Sequence, residues 1–115
     1  MKKYESFCPV RDILAKIGDK WSVLIMHSLQ LSGVMRFSEL QKDIPDISQK
    51  MLTQTLRKLE EMHLVVRAIY PEVPPKVEYR LTQLGQSFMK TMEPILQWAM
   101  ANKDELGIIT KDKQL

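Results

Sequence analysis

Five polar side chains near the middle of this chain recur at helical spacing: Gln49, Lys50, Thr53, Gln54 and Arg57. Arginine and lysine donate hydrogen bonds to guanine acceptors, glutamine pairs with adenine, and threonine contacts a thymine methyl group or a phosphate. Leu52, Leu56 and Leu59 are interleaved with them, so one helix would bury its leucine side and expose its polar side. The pattern predicts a helix that binds the major groove of double-stranded DNA; an ordinary solvated helix surface is the alternative.

The ends of this predicted helix carry further signals. Ser48 is a good N-terminal cap, and the helix should run from there to about Met62. Glu60 and Glu61 stand at the far end, which leaves the N-terminal part free of acidic groups. That order of charges is typical of a recognition helix whose N-terminal part enters the groove, so we count Ser48 among the DNA-binding residues.

A shorter helix is predicted just before the polar one. Ser38 and Gln41 have the spacing of a capping box, and Pro45 ends the helix. Two helices joined by so short a turn predict a helix-turn-helix over residues 38–62. At its start, the charge of Arg36 and the free backbone N–H groups at Ser38 could bind a DNA phosphate.

Residues 65–81 predict a β-hairpin, because two runs rich in β-branched and aromatic residues flank a loop that contains three prolines. Lys76, at the base of this wing, could reach the DNA backbone or the minor groove; a charge that only improves solubility is the alternative. The hairpin also carries two acids and two arginines that could pair across it: Glu72, Glu78, Arg67 and Arg80. We expect the acids to weaken the attraction of the wing for DNA.

Further helices flank these elements. Residues 8–35 predict two helices, the second beginning at Lys20 and capped by Asp19. Residues 82–102 predict a long helix that Thr82 caps and that Pro94 should kink or interrupt. A tail follows over residues 106–115. The predicted fold class is therefore mainly α with a small β-hairpin (α+β). It is a single winged helix-turn-helix domain over the whole chain, with additional N- and C-terminal dimerisation helices.

The long last helix carries more apolar surface than one core can cover. Together with Ile13 of the first helix, the residues predicted to form a homodimer interface are Phe88, Met92, Ile95, Leu96, Trp98 and Ala99. One DNA-binding head contacts too few bases for selective binding. Two heads related by a two-fold axis can bind half-sites about one helical turn (~34 Å) apart.

Composition limits the other classes of function. The net charge is +3, and residues 36–80 hold eight basic and seven acidic side chains, so composition permits nucleic-acid binding without demonstrating it. One cysteine and two histidines exclude an internal disulfide framework and argue against a zinc site. The sequence has no glycine-rich phosphate loop and no catalytic constellation, so we expect neither enzymatic activity nor a cofactor.

Hydropathy argues against a membrane protein. The longest stretch without a charged residue, residues 21–35, is shorter than the roughly 20 apolar residues that a membrane span needs. The N-terminal residues include no apolar signal-peptide region. We therefore expect a cytoplasmic protein with no membrane partner.

The single cysteine, Cys8, stands where a helix cap would stand, just before Pro9. Backbone N–H groups and Arg11 would favour its thiolate and make it more reactive toward oxidants and electrophiles. The alternative is that the Cys-Pro pair only starts a helix at the dimer interface. A non-covalent effector in an apolar pocket near the dimer helices is also open, and no residue identifies one.

Several short strings, in order and with characteristic spacing, resemble the HxlR-type winged helix-turn-helix regulators over roughly residues 8–100. They are Cys8-Pro9-Val10, Ile17-Gly18-Asp19-Lys20-Trp21, Arg36-Phe37-Ser38-Glu39-Leu40, Ile47-Ser48-Gln49-Lys50-Met51-Leu52, Leu56-Arg57-Lys58-Leu59-Glu60, Val73-Pro74-Pro75-Lys76-Val77-Glu78-Tyr79 and Leu81-Thr82 with Gly85. Asp19 departs from the second glycine of many family members but remains a good cap. The resemblance implies a dimer built from the first and last helices. Some similar regulators sense quinones, aldehydes or oxidants through an N-terminal cysteine.

Three classes of function remain for comparison. The first is a sequence-specific transcriptional regulator, more often a repressor than an activator, because a small dimer without another domain can act by occluding a promoter. It would bind a palindromic operator. The second is a winged-helix module for protein–protein contact without DNA binding. The third, a small enzyme, has no supporting residues.

Overall fold

The structure, a computed structural model, describes residues 9–108. Along the chain the elements are α1 (Pro9–Ile17), α2 (Ser22–Ser32), β1 (Val34–Arg36), α3 (Phe37–Asp43), α4 (Gln49–Glu61), β2 (Val65–Tyr70), β3 (Lys76–Leu81) and α5 (Gln83–Ala101). The predicted class, mainly α with a small β part, is confirmed. Cys8 and most of the predicted tail lie outside the described residues.

The sheet has three antiparallel strands in the order β1-β3-β2. The hairpin of β2 and β3 was predicted, and it pairs Val65 with Leu81 at its base and Tyr70 with Lys76 at its tip. Strand β1 was not predicted. It is too short to show an alternating pattern, and it forms only because β3 lies beside it, with Met35 opposite Tyr79.

The core lies between α2, α3, α4, the sheet and the first half of α5. The side chains with almost no exposed surface are Ile25, Met26, Leu29, Leu40, Leu52, Leu56, Leu59 and Met89. Helical spacing in the sequence predicts a buried stripe on α2 of Trp21, Leu24, Ile25, Leu29 and, less strongly, Ser28, but Leu24 is 45% exposed while Met26 is fully buried. Since α2 is apolar around most of its circumference, periodicity could not decide which side faces inward.

The helix caps also differ in part from the predictions. The Asp19 carboxylate accepts from the backbone N–H groups of Trp21 and Ser22 at 3.0 and 3.1 Å, so α2 begins at Ser22 rather than Lys20. The predicted capping box of Ser38 and Gln41 is wrong: α3 begins one residue before Ser38, and the Arg36 N–H donates to Glu39 Oε1 at 2.8 Å. A carboxylate is a stronger acceptor than the glutamine amide.

The caps predicted for the two longest helices are confirmed. Ser48 Oγ accepts from the Met51 N–H at 3.0 Å, and Thr82 Oγ1 accepts from the Gly85 N–H at 3.0 Å. No interruption occurs in α5, which runs through Pro94. Proline leaves the Lys90 carbonyl without a helical donor, but both residues are exposed, so water can serve that carbonyl. None of the helices within residues 9–108 is long and apolar enough to cross a membrane.

Candidate nucleic-acid interface

Helix α4 has one anchored side and one exposed side. Leu52, Leu56 and Leu59 are buried, and Thr55 beside them is 3% exposed and donates to the Met51 carbonyl at 2.7 Å. On the other side, the structure exposes Gln49, Lys50, Gln54 and Arg57 and leaves Thr53 half-buried. The leucines therefore fix the rotation of the helix, and this rotation turns the polar side chains outward.

The five polar side chains of α4 form one continuous surface. Together they line a single shallow depression of about 430 Å³, and this polar surface of α4 consists of Gln49, Lys50, Thr53, Gln54 and Arg57. The Thr53 hydroxyl donates to the Gln49 carbonyl at 2.9 Å, which holds its methyl group in a fixed orientation. The surface thus offers two cations, two amides and one methyl group, which are the groups that contact base edges and phosphates.

Acidic groups are held away from this polar surface. Neither Lys50 nor Arg57 has a carboxylate within ion-pair distance in the part of the chain that the structure describes. Glu60, near the end of α4, pairs instead with Arg67 of β2, with 3.3 Å between Oε1 and Nε. The positive charge on the N-terminal part of α4 is therefore not neutralised within residues 9–108.

The turn between α3 and α4 fixes the angle between the two helices. Ile44 and Ile47 are buried, and the Ile47 N–H donates to the Ile44 carbonyl at 3.1 Å. The Gln41 amide reaches the Ile47 carbonyl at 3.3 Å. Because the turn is anchored by two isoleucines, α4 cannot rotate without disturbing the core.

The two residues predicted to bind a phosphate at the start of α3 are exposed, but Glu39 changes the charge around them. Arg36 is the last residue of β1 and Ser38 the second residue of α3, and both are open to solvent. Glu39 occupies the Arg36 N–H and brings a negative charge to this end. The Arg36 side chain forms no ion pair within residues 9–108 and remains available for a phosphate. The N-terminus of α3 is a weaker anion site than the sequence indicated, because the Glu39 carboxylate repels anions there.

The wing lysine is held by its own hairpin. Lys76 Nζ lies 3.6 Å from Glu78 Oε2 and 5.1 Å from the ring centroid of Tyr70. The predicted pairing of the hairpin arginines with its acids is wrong, because Arg67 pairs with Glu60 of α4 and Arg80 has no ion pair within residues 9–108. Lys76 must leave Glu78 to reach DNA, so we expect only a modest contribution from it.

Asp19, which the sequence predicts only as a cap, also forms an ion pair with α4. Its carboxylate accepts from the Ser22 hydroxyl and lies 2.9 Å from Lys58 Nζ of α4. Partial burial alone would raise the pKa of Asp19, but the hydrogen bonds from Ser22, Lys58 and the Trp21 N–H, with the charge of Lys58, outweigh it and lower the pKa to about 2. The cap was visible in the sequence; the partner 39 residues away was not.

The residues predicted for dimerisation divide into two groups. Ile95 and Trp98 of α5 are more than half exposed, whereas Phe88, Met92 and Leu96 pack partly against the core of their own chain. Ala99 is half-buried, and Ile13 of α1 lines a groove of about 300 Å³ with Leu84 and Phe88.

Further exposed apolar side chains lie on the same two helices: Val10 and Leu14 on α1, and Met100 on α5. An apolar surface therefore follows both flanking helices.

Metal ligands do not cluster in the described residues: within 9–108, no three His, Cys, Asp or Glu side chains lie close enough to hold a metal ion together.

Comparison with known proteins gives matches along most of the chain. A family model described as HxlR-like helix-turn-helix matches residues 16–106. YkvN of Bacillus subtilis (strain 168), an uncharacterised HTH-type transcriptional regulator, is 46% identical over 98 residues, which span 85% of this chain and 80% of YkvN.

Two solved structures are similar in both fold and sequence. The redox regulator HypR in its reduced form has a TM-score of 0.81 at 37% identity, over 89% of this chain and 100% of that chain. The reduced form of the transcriptional regulator YodB from Bacillus subtilis has a TM-score of 0.71 at 38% identity, over 81% of this chain and 91% of that chain. The three-stranded sheet and flanking helices thus follow a winged-helix architecture.

Proposed function

Since the chain belongs to the HxlR-like helix-turn-helix family, we propose that it is a sequence-specific DNA-binding transcriptional regulator that places α4 in the major groove. The observation that carries the proposal is the polar surface of α4, whose five side chains are turned outward by buried leucines on the opposite side. Arg57 and Lys50 would contact guanine or phosphate, and Gln49 and Gln54 would contact adenine.

Contacts to the DNA backbone would fix the position of α4 in the groove. Arg36, Ser38 and Ser48 stand at the N-terminal ends of α3 and α4 and are exposed. Backbone N–H groups at such ends, together with a guanidinium, are common phosphate ligands. Lys76 of the wing would add a weaker contact after leaving Glu78.

The functional unit would be a homodimer on a palindromic operator. The apolar surface of α1 and α5, with Ile95 at 55% and Trp98 at 58% exposure, supports this, because a monomer would leave it in water. Two copies joined there would carry one α4 each and could bind half-sites about one helical turn apart. Occlusion of a promoter by the bound dimer, and hence repression, is the proposed mode of action.

An oxidant response through Cys8 is a second part of the proposal. It is supported by the similarity to HypR, a redox regulator. Because each chain holds one cysteine, oxidation to a disulfide would join Cys8 either to the same residue of a second copy or to a small thiol. Cys8 precedes the α1 surface proposed for dimerisation, so either product would change the charge or packing at that interface.

In vitro selection from random duplex DNA by the purified full-length protein tests the main proposal. Enrichment of a palindromic sequence, with binding that weakens by orders of magnitude between ~50 and ~200 mM salt, is the expected result. Enrichment of a sequence without two-fold symmetry would contradict the dimer. No enrichment at any salt concentration would favour a winged-helix module for protein–protein contact and remove the DNA proposal.

A further inference from the structure

A cavity of about 450 Å³ lies where the C-terminal end of α2, the base of the sheet and α5 meet. Its apolar lining consists of Val34, which is 49% exposed, and the buried Leu29 and Leu81, and four longer, exposed polar side chains also line it: Gln30, Arg80, Gln86 and Lys90. None of the residues of the polar surface of α4 lines it. The cavity is therefore separate from the candidate DNA interface.

The charge of this cavity is positive and uncompensated. Arg80 of β3 and Lys90 of α5 both line it, no acidic residue does, and neither cation forms an ion pair within residues 9–108. The nearest acid on α5, Glu93, lines an adjoining groove with Lys90 but lies beyond ion-pair distance from it. A guanidinium and an ammonium on two different elements thus border one space.

The two glutamines at the opening are also unpaired. Across the described part of the chain, the side-chain amides of Gln30 and Gln86 form no hydrogen bond with another residue, whereas the Gln41 amide does. Each amide can donate to an oxygen that the cations attract. The lining therefore combines four donors for an anion with an exposed apolar side chain, Val34.

We propose that this cavity binds a small organic monocarboxylate, with the carboxylate between Arg80 and Lys90 and the apolar part against Val34. The guanidinium of Arg80 can form two parallel hydrogen bonds with a carboxylate, which an ammonium alone cannot do. The volume lies within the few hundred cubic ångströms typical of small-ligand sites. An inorganic anion would use the cations but leave the exposed side chain of Val34 in water.

The position of the cavity would make its occupant an effector, a role that rests on the proposed function. Helix α2 leads directly into β1 and α3, β3 belongs to the wing, and α5 carries the apolar surface proposed for the dimer. A carboxylate held by Arg80 and Lys90 would link β3 to α5. It would thereby bias the angle between the DNA-binding head and the dimer helix.

The test uses the full-length protein without DNA, so that its result does not depend on DNA binding. Hexanoate and benzoate are titrated by calorimetry and by amide chemical shifts, each against its neutral amide, hexanamide or benzamide. Saturable binding of at least one acid, with shifts around residues 29–34, 80–81 and 86–90, is expected. Arg80→Gln and Lys90→Gln should each weaken it about tenfold or more, and the two changes together should abolish it.

Two controls check that binding depends on this cavity and on both parts of the acid. Lys103→Gln removes the same charge outside the cavity and should leave the affinity for the acid unchanged. Inorganic phosphate measures the contribution of charge alone and should bind more weakly than the preferred acid. Three results would overturn the proposal: no saturable binding at up to ~10 mM acid, equal binding of the amide, or an unchanged affinity in both glutamine variants.

Failure of the DNA proposal would be recognised separately. If the acid binds but no DNA sequence is selected, the site stands and the regulatory role falls. If Arg80→Gln weakens DNA binding in the absence of any acid while acid binding is unaffected, Arg80 is a phosphate contact and the carboxylate site is wrong.

Discussion

The ammonium of Lys58 lies 2.9 Å from the carboxylate of Asp19, and this ion pair joins α4 to the turn that precedes α2. Both side chains are about one-third exposed. Because the same carboxylate caps α2 through two backbone N–H groups, one side chain holds the relative positions of two helices. Asp19 thus positions the polar surface of α4 without belonging to it.

The depressed pKa of Asp19 predicts a specific loss of stability in acid. Its pKa is about 2 in the folded protein and 3.8 in the unfolded chain, so ionised Asp19 stabilises the fold fully above pH ~4. This contribution disappears as the pH falls through about 2. Asp19→Asn should lower the free energy of unfolding at pH 7 by about 1 kcal/mol, discounted for solvent screening, and should flatten the pH dependence between about 4 and 2.

Asp46→Asn is the matched control for this prediction. Asp46 pairs with Lys20 at 3.6 Å, but both side chains are about two-thirds exposed. An exposed pair contributes little, so urea unfolding of this variant should match the wild type at every pH. Equal behaviour of the two variants would contradict the role assigned to Asp19.

The polar surface of α4 predicts a second set of effects. Arg57→Ala and Gln49→Ala should each lower the affinity for the selected DNA fragment by about tenfold or more, because each removes a group that we propose contacts a base edge. Glu61 is exposed on the same helix but lies outside this surface, so Glu61→Ala should not lower the affinity for DNA. Fluorescence anisotropy of labelled duplexes measures all three, and full affinity in both of the first two variants would reject the assignment of α4.

Gly85 in the first turn of α5 occupies a position that has no room for a side chain. A Cβ at this position would collide with the Leu64 carbonyl oxygen and press against the Leu81 side chain. Gly85→Ala should therefore destabilise the protein by about 2 kcal/mol or more, despite the better helix propensity of alanine. Thermal unfolding checks this, with the exposed Ser87→Ala of the same helix as a control that should be neutral.

The apolar surface of α1 and α5 predicts the oligomeric state. The wild type should be a dimer at micromolar concentration, and Trp98→Ser together with Ile95→Ser should shift it to a folded monomer, because both side chains are more than half exposed in the single chain. Ile69→Ser removes an equally exposed side chain from the wing and should leave the dimer intact. Light scattering coupled to gel filtration distinguishes these results; a monomeric wild type would be incompatible with the proposed assembly.

Because the sequence has one cysteine, any change of DNA affinity on thiol oxidation should depend entirely on Cys8. Diamide takes two electrons and two protons from a pair of thiols and forms one disulfide, so wild-type protein should change its DNA affinity after treatment and recover it with dithiothreitol. Cys8→Ser should keep the basal affinity and lose the response. Non-reducing mass spectrometry identifies the product, and a response that persists in the variant would assign it to another group.

The sequence predicted the elements whose signals are local. Ser48 and its neighbours carry a complete helix signal, with the cap, the leucine spacing and the polar side all in one short segment, and α4 agrees with it. The hairpin was equally visible because its two strands and proline-containing loop are contiguous. At α2, by contrast, apolar residues on every side left the buried face undefined, and Met26 rather than Leu24 proved to be inside.

The sequence alone therefore determined the helices, the two strands of the hairpin and the side chains that suit DNA, but not β1, because caps, turns and periodicity act over a few residues. Only the tertiary structure decided which charges are paired: Glu60 binds Arg67 and Asp19 binds Lys58, whereas Arg80 and Lys90 line one open cavity. Ion pairs and cavities depend on distances between residues far apart in the chain. Those distances are fixed only when the core closes and sets the position of each element.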